Sequence, residues 1–420
     1  MRDQIATTSR DDARIAAPAT LLGTQLLFNV GFYAVVPFIA VVLTDDFALG
    51  GAAVGLVLGV RAFSQQGMFL VGGVLADRWG AKALILVGCG VRASGFLLLS
   101  AALWPQLGTA PEPPLLSVFI AGTVLTGLGG AMFSPALNTL VAGADRRRSG
   151  GVNLFAWLTV AGELGAATGP LVGALLLGRG FAVVAVAGAG LFAVIGCLLW
   201  WRLPQTPRRS GGPARRPGRV PAALTDRRFV AFAALHSVDL LAYNQLYLAF
   251  PVELRRVDAG ALALGAIFAW VSVLTVALQL PVASWSRRLP SAAALRIGYL
   301  CGASAFLVLA IAAPFAPAPG WELLPAFAAA TLLTAGHLFA LPTALGAVGG
   351  FAGALPTGSY FGLLATCGGL AVLVGNVVVG ALLGAASLPQ PAAALPWLAL
   401  AAALLTSAGL VGSRWMWVRR

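Results

Sequence analysis

Long apolar runs dominate this chain, and they leave few folds open to it. They cover roughly residues 18–43, 51–76, 83–103, 115–140, 151–177, 181–203, 229–255, 260–283, 293–314, 322–347, 355–384 and 392–414. A helix needs about 20 apolar residues to cross the hydrocarbon core of a bilayer, and most of these runs reach that length. Charged residues make up 10% of the chain and hydrophobic ones 59%, whereas a soluble domain carries roughly 25% charged residues. The solvent for such a surface is lipid. A membrane β-barrel would alternate polarity within strands of ~10 residues, and the runs show no such alternation. The expectation is an all-α integral membrane protein with twelve transmembrane helices. The polar stretch from Met1 to Ala17 holds both acids and bases, and no small-residue cleavage signal follows the first run. That run therefore reads as a retained helix and not as a removed signal peptide.

The formal charge is +13, and its distribution matters more than its size. Apart from Arg61, Arg92, Arg179, Arg255 and Arg256, every one of the 27 Lys and Arg residues lies before the first run, in or beside an even-numbered connection, or in the tail. Basic loops stay on the cytoplasmic side. The expectation is a multi-pass protein of the cytoplasmic (inner) membrane with both termini in the cytoplasm. This pattern is not the single basic surface that nucleic acid requires. The cysteines, Cys89, Cys197, Cys301 and Cys367, fall inside apolar runs on different helices and read as small buried hydrophobes. With two histidines in the chain, no metal-binding constellation is visible. No phosphate-binding Gly-x4-Gly-Lys-Ser/Thr loop occurs, which argues against transport driven directly by ATP. Nothing suggests covalent catalysis, an enzyme or a cofactor. The partners expected are membrane lipids, protons and a small-molecule substrate, for a monomer.

The segment 204–228 is rich in Pro, Gly and Arg and divides the chain near its middle, as a flexible linker would. The layout expected is a terminal segment (1–17), a six-helix bundle (18–203), the basic linker (204–228), a second six-helix bundle (229–414) and a tail (415–420). The halves echo each other. Asn29, Tyr33 and Pro37 in the first run match Tyr243, Tyr247 and Pro251 in the seventh. Pro135 matches Pro342, Gly151 matches Gly358, and Gly173-Ala-Leu-Leu matches Gly380-Ala-Leu-Leu. Matches in order at a nearly constant offset point to a duplicated six-helix unit. Two such units around a site at mid-membrane make the architecture of alternating-access carriers.

Between the second and third runs stands Gly73-Val-Leu-Ala-Asp77-Arg78-Trp79-Gly80-Ala-Lys82. It resembles the signature loop of major facilitator transporters at every key position. A second stretch, Gly165-x3-Gly169-Pro170-x2-Gly173, is similar to the antiporter signature of the drug:proton antiporter branch; small residues at this spacing let helices pack closely. Further stretches, around Arg61-Ala-Phe-Ser-Gln65-Gln66, Val91-Arg92 and Ser359-Tyr360, resemble the MdtH-type multidrug efflux proteins. The chain departs from that branch at Thr123, where an arginine usually stands. The resemblance implies a two-bundle major facilitator fold and a conformational gate made by Gly73, Asp77, Arg78, Gly80 and Lys82. Asp77 would dock at the start of the eleventh helix near Thr357-Gly358-Ser359, where a helix N-terminus favours an anion. Arg78 and Lys82 would hold the loop to cytoplasmic acids or lipid phosphates. The matching place in the second half, Trp285-Ser-Arg287-Arg288, has no acid.

Ionisable groups at membrane depth are costly and usually functional. Arg61, Arg92 and Glu163 stand at such depth in the first half, and a buried pairing of Glu163 with one of the arginines is one expectation. Burial in an apolar wall favours the protonated form of a carboxyl, and a nearby arginine favours the ionised form. Glu163 and Asp239, with Arg61 and Arg92, are therefore the candidates for proton coupling. Asp239 could instead pair structurally with His236 or a backbone group. His236, Asp239, Tyr243 and Tyr247 share one helical stripe; with Asn29, Tyr33, Gln65 and His337 they are the candidate lining of a substrate cavity. The leading expectation is a proton-coupled exporter of hydrophobic or amphipathic molecules, driven by the proton gradient. An uptake carrier for a small polar solute and a non-transporting membrane sensor or scaffold remain as alternatives.

Overall fold

In the computed structural model, residues 17–69, 71, 72, 75, 79–104, 113–145, 154–203, 222–286, 288–315, 320–353, 358–385 and 390–413 are described. Among these, twelve long helices follow one another: α1 (Pro18–Asp45), α2 (Gly51–Gln66), α3 (Ala81–Ala101), α4 (Pro113–Asp145), α5 (Leu154–Leu177), α6 (Phe181–Arg202), α7 (Arg227–Arg256), α8 (Ala261–Ser286), α9 (Ser291–Ala312), α10 (Leu324–Ala352), α11 (Gly358–Ala385) and α12 (Leu395–Leu410). Ten segments among them are long and apolar enough to cross a membrane. The two that fall short do so for visible reasons: α2 has only 16 residues, and the middle of α7 is interrupted by His236, Ser237, Asp239, Tyr243, Asn244, Gln245 and Tyr247. The protein is a multi-pass, all-helical membrane protein.

Side-chain chemistry sets several of the helix ends. Gly80 precedes α3 with φ 86°, a left-handed conformation that glycine adopts without steric cost. Asp226 caps α7, its carboxylate accepting from the backbone N–H of Arg228 (3.1 Å) and Phe229 (3.2 Å). Pro37 interrupts α1, whose path runs through a 3-10 turn at Val36–Phe38. Its counterpart Pro251 lies inside continuous α-helix in α7, so the sequence repeat does not carry through to the same backbone here.

The packing order of the two halves is the same. In the first, α1 packs on α5 and α6, α3 on α4 and α6, and α2 on α4; in the second, α7 packs on α11 and α12, α9 on α10 and α12, and α8 on α10. Each pairing in one half recurs in the other six helices later, which is the pseudo-symmetry the repeat predicted. The halves meet chiefly through α2 against α11 and α5 against α8. These two contacts are themselves a symmetric pair.

Small residues build the α2–α11 contact. A methyl group on Gly51 or Gly55 would overlap the backbone carbonyl of Gly380 or Asn376, and one on Gly59 would come within 2.9 Å of the Leu373 backbone. Because lipid offers no hydrophobic driving force between helices, such close backbone approach is a main source of association. The antiporter-like seam lies elsewhere. Added methyls on Gly165, Gly169 and Gly173 would meet Leu26 and Asn29, Tyr33 and Val30, and Ala34 and Phe38, all of α1. That seam therefore joins two helices of one half, while the backbone of Pro170 lies 3.4 Å from the place a methyl on Gly265 of α8 would occupy.

Of the cysteines, Cys89 is buried, Cys301 and Cys367 are half-buried, and Cys197 is exposed; all four are free thiols. The expectation of four buried thiols is corrected at Cys197. An apolar run does not record which face of its helix meets lipid, where a small thiol is equally at home.

Candidate functional site: a polar cavity between the halves

Where the halves meet, two adjoining chambers of about 400 and 650 Å³ share Tyr33, Tyr243, Tyr247 and His337 in their walls. Such volumes suit a small organic molecule. The floor is aromatic. Tyr33 lies 6.2 Å from Tyr247 and 5.8 Å from Phe268, and Tyr247 lies 5.3 Å from Phe268, between ring centroids. Beyond the floor the bundle is shut, at the end that carries the connections 46–50, 178–180 and 257–260. There the α2–α11 glycines are in contact, and Arg255 at the end of α7 pairs with Asp45 at the end of α1. At the other end, which carries residues 17, 203, 222 and 413, the cavity runs out past Gln66, Phe69, Asn138, Leu345 and Phe361. Leu345 and Phe361 are 41% and 40% exposed, so the cavity is open towards that end.

Three titratable groups from both halves converge in it. The imidazole of His337 (α10) meets the Asp239 carboxylate (α7), Nδ1 to Oδ2 2.9 Å, and its ring stacks on Tyr243 with centroids 4.1 Å apart. Glu163 (α5) lines the smaller chamber together with Ser272 of α8 and His337. His337 thus borders both the chamber that holds Glu163 of the first half and the one that holds Asp239 of the second. His236 takes a different partner, its Nδ1 3.0 Å from the Tyr299 hydroxyl.

The arginines occupy another wall. Arg61 lines the larger chamber; its guanidinium lies 5.8 Å from the Tyr247 ring centroid and 5.6 Å from that of Phe32, and Nη1 reaches Gln65 Oε1 at 3.5 Å. Arg92 is enclosed by Phe28, Phe32 and Phe192 and donates from Nε to the Thr126 carbonyl at 3.0 Å. Thr123, in the place of the arginine usual in the branch, turns its hydroxyl back to the Phe119 carbonyl at 2.9 Å. Among the described residues, no cluster of three or more His, Cys, Asp or Glu side chains is arranged to hold a metal ion.

Tyr33, Gln65, His236, Asp239, Tyr243, Tyr247 and His337 all border the cavity, as does Glu163. Asn29 does not border either chamber: its Nδ2 donates to the Gly162 carbonyl at 2.8 Å and ties α1 to α5. The expected pairing of Glu163 with Arg61 or Arg92 is also corrected: no ion pair joins them, the guanidiniums being engaged by Gln65 and the Thr126 carbonyl, and Glu163 lies in the chamber wall beside Ser272 of α8. Asp239 pairs with His337 and not with His236. Lys82 packs against the end of α6. Its ammonium donates to the carbonyls of Trp200 (2.8 Å) and Leu203 at the end of α6, where unsatisfied carbonyls attract a cation. Gly80 is the helix start described above. Gly73, Asp77, Arg78 and Thr357, with the side chain of Ser359, lie outside the described residues, so the Asp77 contact stays an expectation.

Other elements of the site escaped the sequence reading. Asn376 donates from Nδ2 to Asn244 Oδ1 (3.0 Å) and accepts from Gln245 Nε2 (3.1 Å), binding α11 to α7. Ser272, Thr275, Gln279 and Thr334 supply polar atoms to the cavity wall. Each is a lone polar residue in an apolar run, a signal present in the sequence but shared by many helix–helix contacts.

Comparison with known proteins agrees with this architecture. The sequence profile of the Major Facilitator Superfamily matches residues 21–376. An uncharacterised MFS-type transporter of Mycobacterium tuberculosis (strain ATCC 25618 / H37Rv) is 33% identical over 379 residues, covering 87% of this chain and 85% of its own. The multidrug resistance protein MdtH of Escherichia coli O1:K1 / APEC is 32% identical over 275 residues, covering 64% of this chain and 63% of its own. Among solved structures, the nucleoside transporter NupG superposes with a TM-score of 0.72 at 16% identity, covering 96% of this chain and 99% of that one; this likeness is one of fold.

Proposed function

The chain belongs to the Major Facilitator Superfamily, and from that premise we propose that it is a proton-coupled exporter of hydrophobic or amphipathic small molecules working by alternating access. The observation that carries the reading is the cavity itself: a chamber between the halves, aromatic at its floor, open at one end, with Glu163, His337 and Asp239 in its wall. The printed name of the MdtH relative, a multidrug resistance protein, supports cargo of this kind.

In this reading the open end faces the cytoplasm across the inner membrane, which the basic residues of the even-numbered connections support. The conformation then faces inward, able to load cargo from the cytoplasm or the inner leaflet. Outward opening requires the α2–α11 glycine contact and the Asp45–Arg255 pair to part while the opposite ends close. In that closed state Asp77 is the group to dock at the start of α11, with Gly73, Arg78, Gly80 and Lys82 shaping its loop, and the Gly165–Gly173 seam keeps α1 and α5 moving as one body.

Glu163 and the Asp239–His337 pair are the coupling groups in this reading. Glu163 acts across the interface on residues of α8 and α10, so rocking the halves changes its surroundings, and an ionised carboxylate is held to His337 more strongly than a neutral one. A proton taken up from one side therefore loosens a contact between the halves, and its release restores it. Arg61 and Arg92 set the potential around these groups from the other wall.

Proteoliposomes with an imposed pH gradient test the reading, using a panel of amphipathic aromatic compounds. Gradient-driven accumulation is expected for the wild type. Glu163→Gln and Asp239→Asn should each cut that accumulation to a small measurable fraction while leaving exchange of labelled for unlabelled cargo. Full gradient-driven transport by both variants would reject the coupling scheme.

A further inference from the structure

Two guanidiniums, Arg61 in the cavity wall and Arg92 behind it, lack the partners that buried cations ordinarily have. Arg61 is 3% exposed and its Nε has no hydrogen-bond partner; Arg92 is fully buried and neither Nη atom has one. The carboxylates of Asp45, Asp239 and Glu253 are engaged by Arg255, His337 and Arg256, and among the described residues no carboxylate is paired with Arg61 or Arg92. Both guanidiniums lean on one ring, Phe32, at 5.6 and 4.9 Å. Gln65 sits beside both, 3.5 Å from Arg61 Nη1 and next to Arg92 Nη2 at the surface of Gly130. Contact with aromatic faces returns less than burying an uncompensated ion costs. Two like charges side by side raise that cost. A chain that keeps them here has a use for the positive potential.

We propose that Arg61, backed by Arg92 and Gln65, is an anion subsite, and that the cargo is an aromatic molecule carrying a carboxylate. The inference rests on reading the cavity as the substrate site. Arg61 lines the larger chamber with no carboxylate of the described residues on its guanidinium, and a guanidinium matches a carboxylate with two parallel hydrogen bonds. The aromatic body would lie against Tyr33, Tyr247 and Phe268, which form the floor beside it. Arg92 is enclosed away from the chambers and acts on the bound anion through its charge alone, as a positioning residue.

The test is equilibrium binding of 2-naphthoate, 2-naphthamide and 2-naphthylmethylammonium to the full-length protein in lipid nanodiscs, with empty nanodiscs subtracted. These probes share one aromatic body and differ in charge. A charge-assisted hydrogen bond is worth about 1.5–3 kcal/mol, so naphthoate should bind on the order of ten- to a hundredfold more tightly than the amide, and the ammonium least well. Arg61→Gln should remove the preference for naphthoate over the amide, with a monodisperse elution profile and unchanged melting temperature reporting an intact fold. Arg61→Lys should keep part of the preference. Equal or tighter binding of the amide or the ammonium by the wild type would overturn the anion subsite while leaving the cavity reading in place. So would an undiminished naphthoate preference in Arg61→Gln. Failure of all three probes to bind above empty nanodiscs would overturn both.

Discussion

His337 and Asp239 meet at 2.9 Å, Nδ1 to Oδ2, joining α10 to α7 inside the cavity. The sequence places them 98 positions apart and gives no sign that they are partners. Glu163 borders the same cavity as His337, so the structure gathers in one wall what the sequence presents as three separate residues.

If His337 is the shared partner, removing it should affect both acids together. His337→Gln keeps a polar side chain of similar reach but cannot take up a charge. Gradient-driven cargo accumulation in proteoliposomes is expected to fall at least as far as in Glu163→Gln or Asp239→Asn singly, and adding either acid substitution to His337→Gln should lower it little further. Such non-additivity is the signature of groups acting as one unit.

The α2–α11 contact should govern how readily the closed end opens. Gly55 is pressed against the Asn376 backbone carbonyl, so Gly55→Leu cannot be accommodated without separating the helices. The variant is expected to favour the state open at that end. Spin labels on α2 and α11 near Gly51 and Gly380 should then report a longer mean distance than in the wild type, and wild-type distances would show that the contact is not a gate.

Asp45 and Arg255 tie the same end together at the surface. Their side chains are 49% and 38% exposed, and exposed pairs contribute about 0.2–1 kcal/mol. Arg255→Glu should therefore shift the balance between the two open states by only a few-fold. Exchanging the charges, Asp45→Arg with Arg255→Asp, should restore it. Accessibility of a cysteine placed in the aromatic floor, read as its rate of labelling by a membrane-impermeant reagent, measures both shifts.

Asn376 is expected to serve stability more than transport. Asn376→Leu would leave Asn244 and Gln245 without their interhelical partner, and such bonds in membrane proteins are worth about 0.6–2 kcal/mol each. A fall of a few degrees in the melting temperature of the purified protein is expected, checked by the temperature dependence of its elution as a monodisperse peak.

The sequence by itself determined the fold. Twelve apolar runs, the alternation of basic connections and the repeat with its offset of about 207–214 residues were enough to define two related six-helix bundles, because a bilayer admits few alternatives to bundled helices and each helix declares itself by local composition. The stripe His236, Asp239, Tyr243 and Tyr247 was equally legible, since helical periodicity is local too. What the tertiary structure decided was partnership. Glu163 and Asn29 both lie on inward-facing surfaces of first-half helices, yet one crosses to the other half and one ties α1 to α5. Lys82 finds the end of α6, and Arg61 and Arg92 share Phe32 without a carboxylate. Every helix in such a chain has an apolar majority on all sides, so the pattern of hydrophobicity does not reveal which face meets lipid, a neighbour or the cavity. That choice is made by close backbone contacts between helices distant in sequence, as at Gly55 and Asn376, and only the assembled bundle shows them.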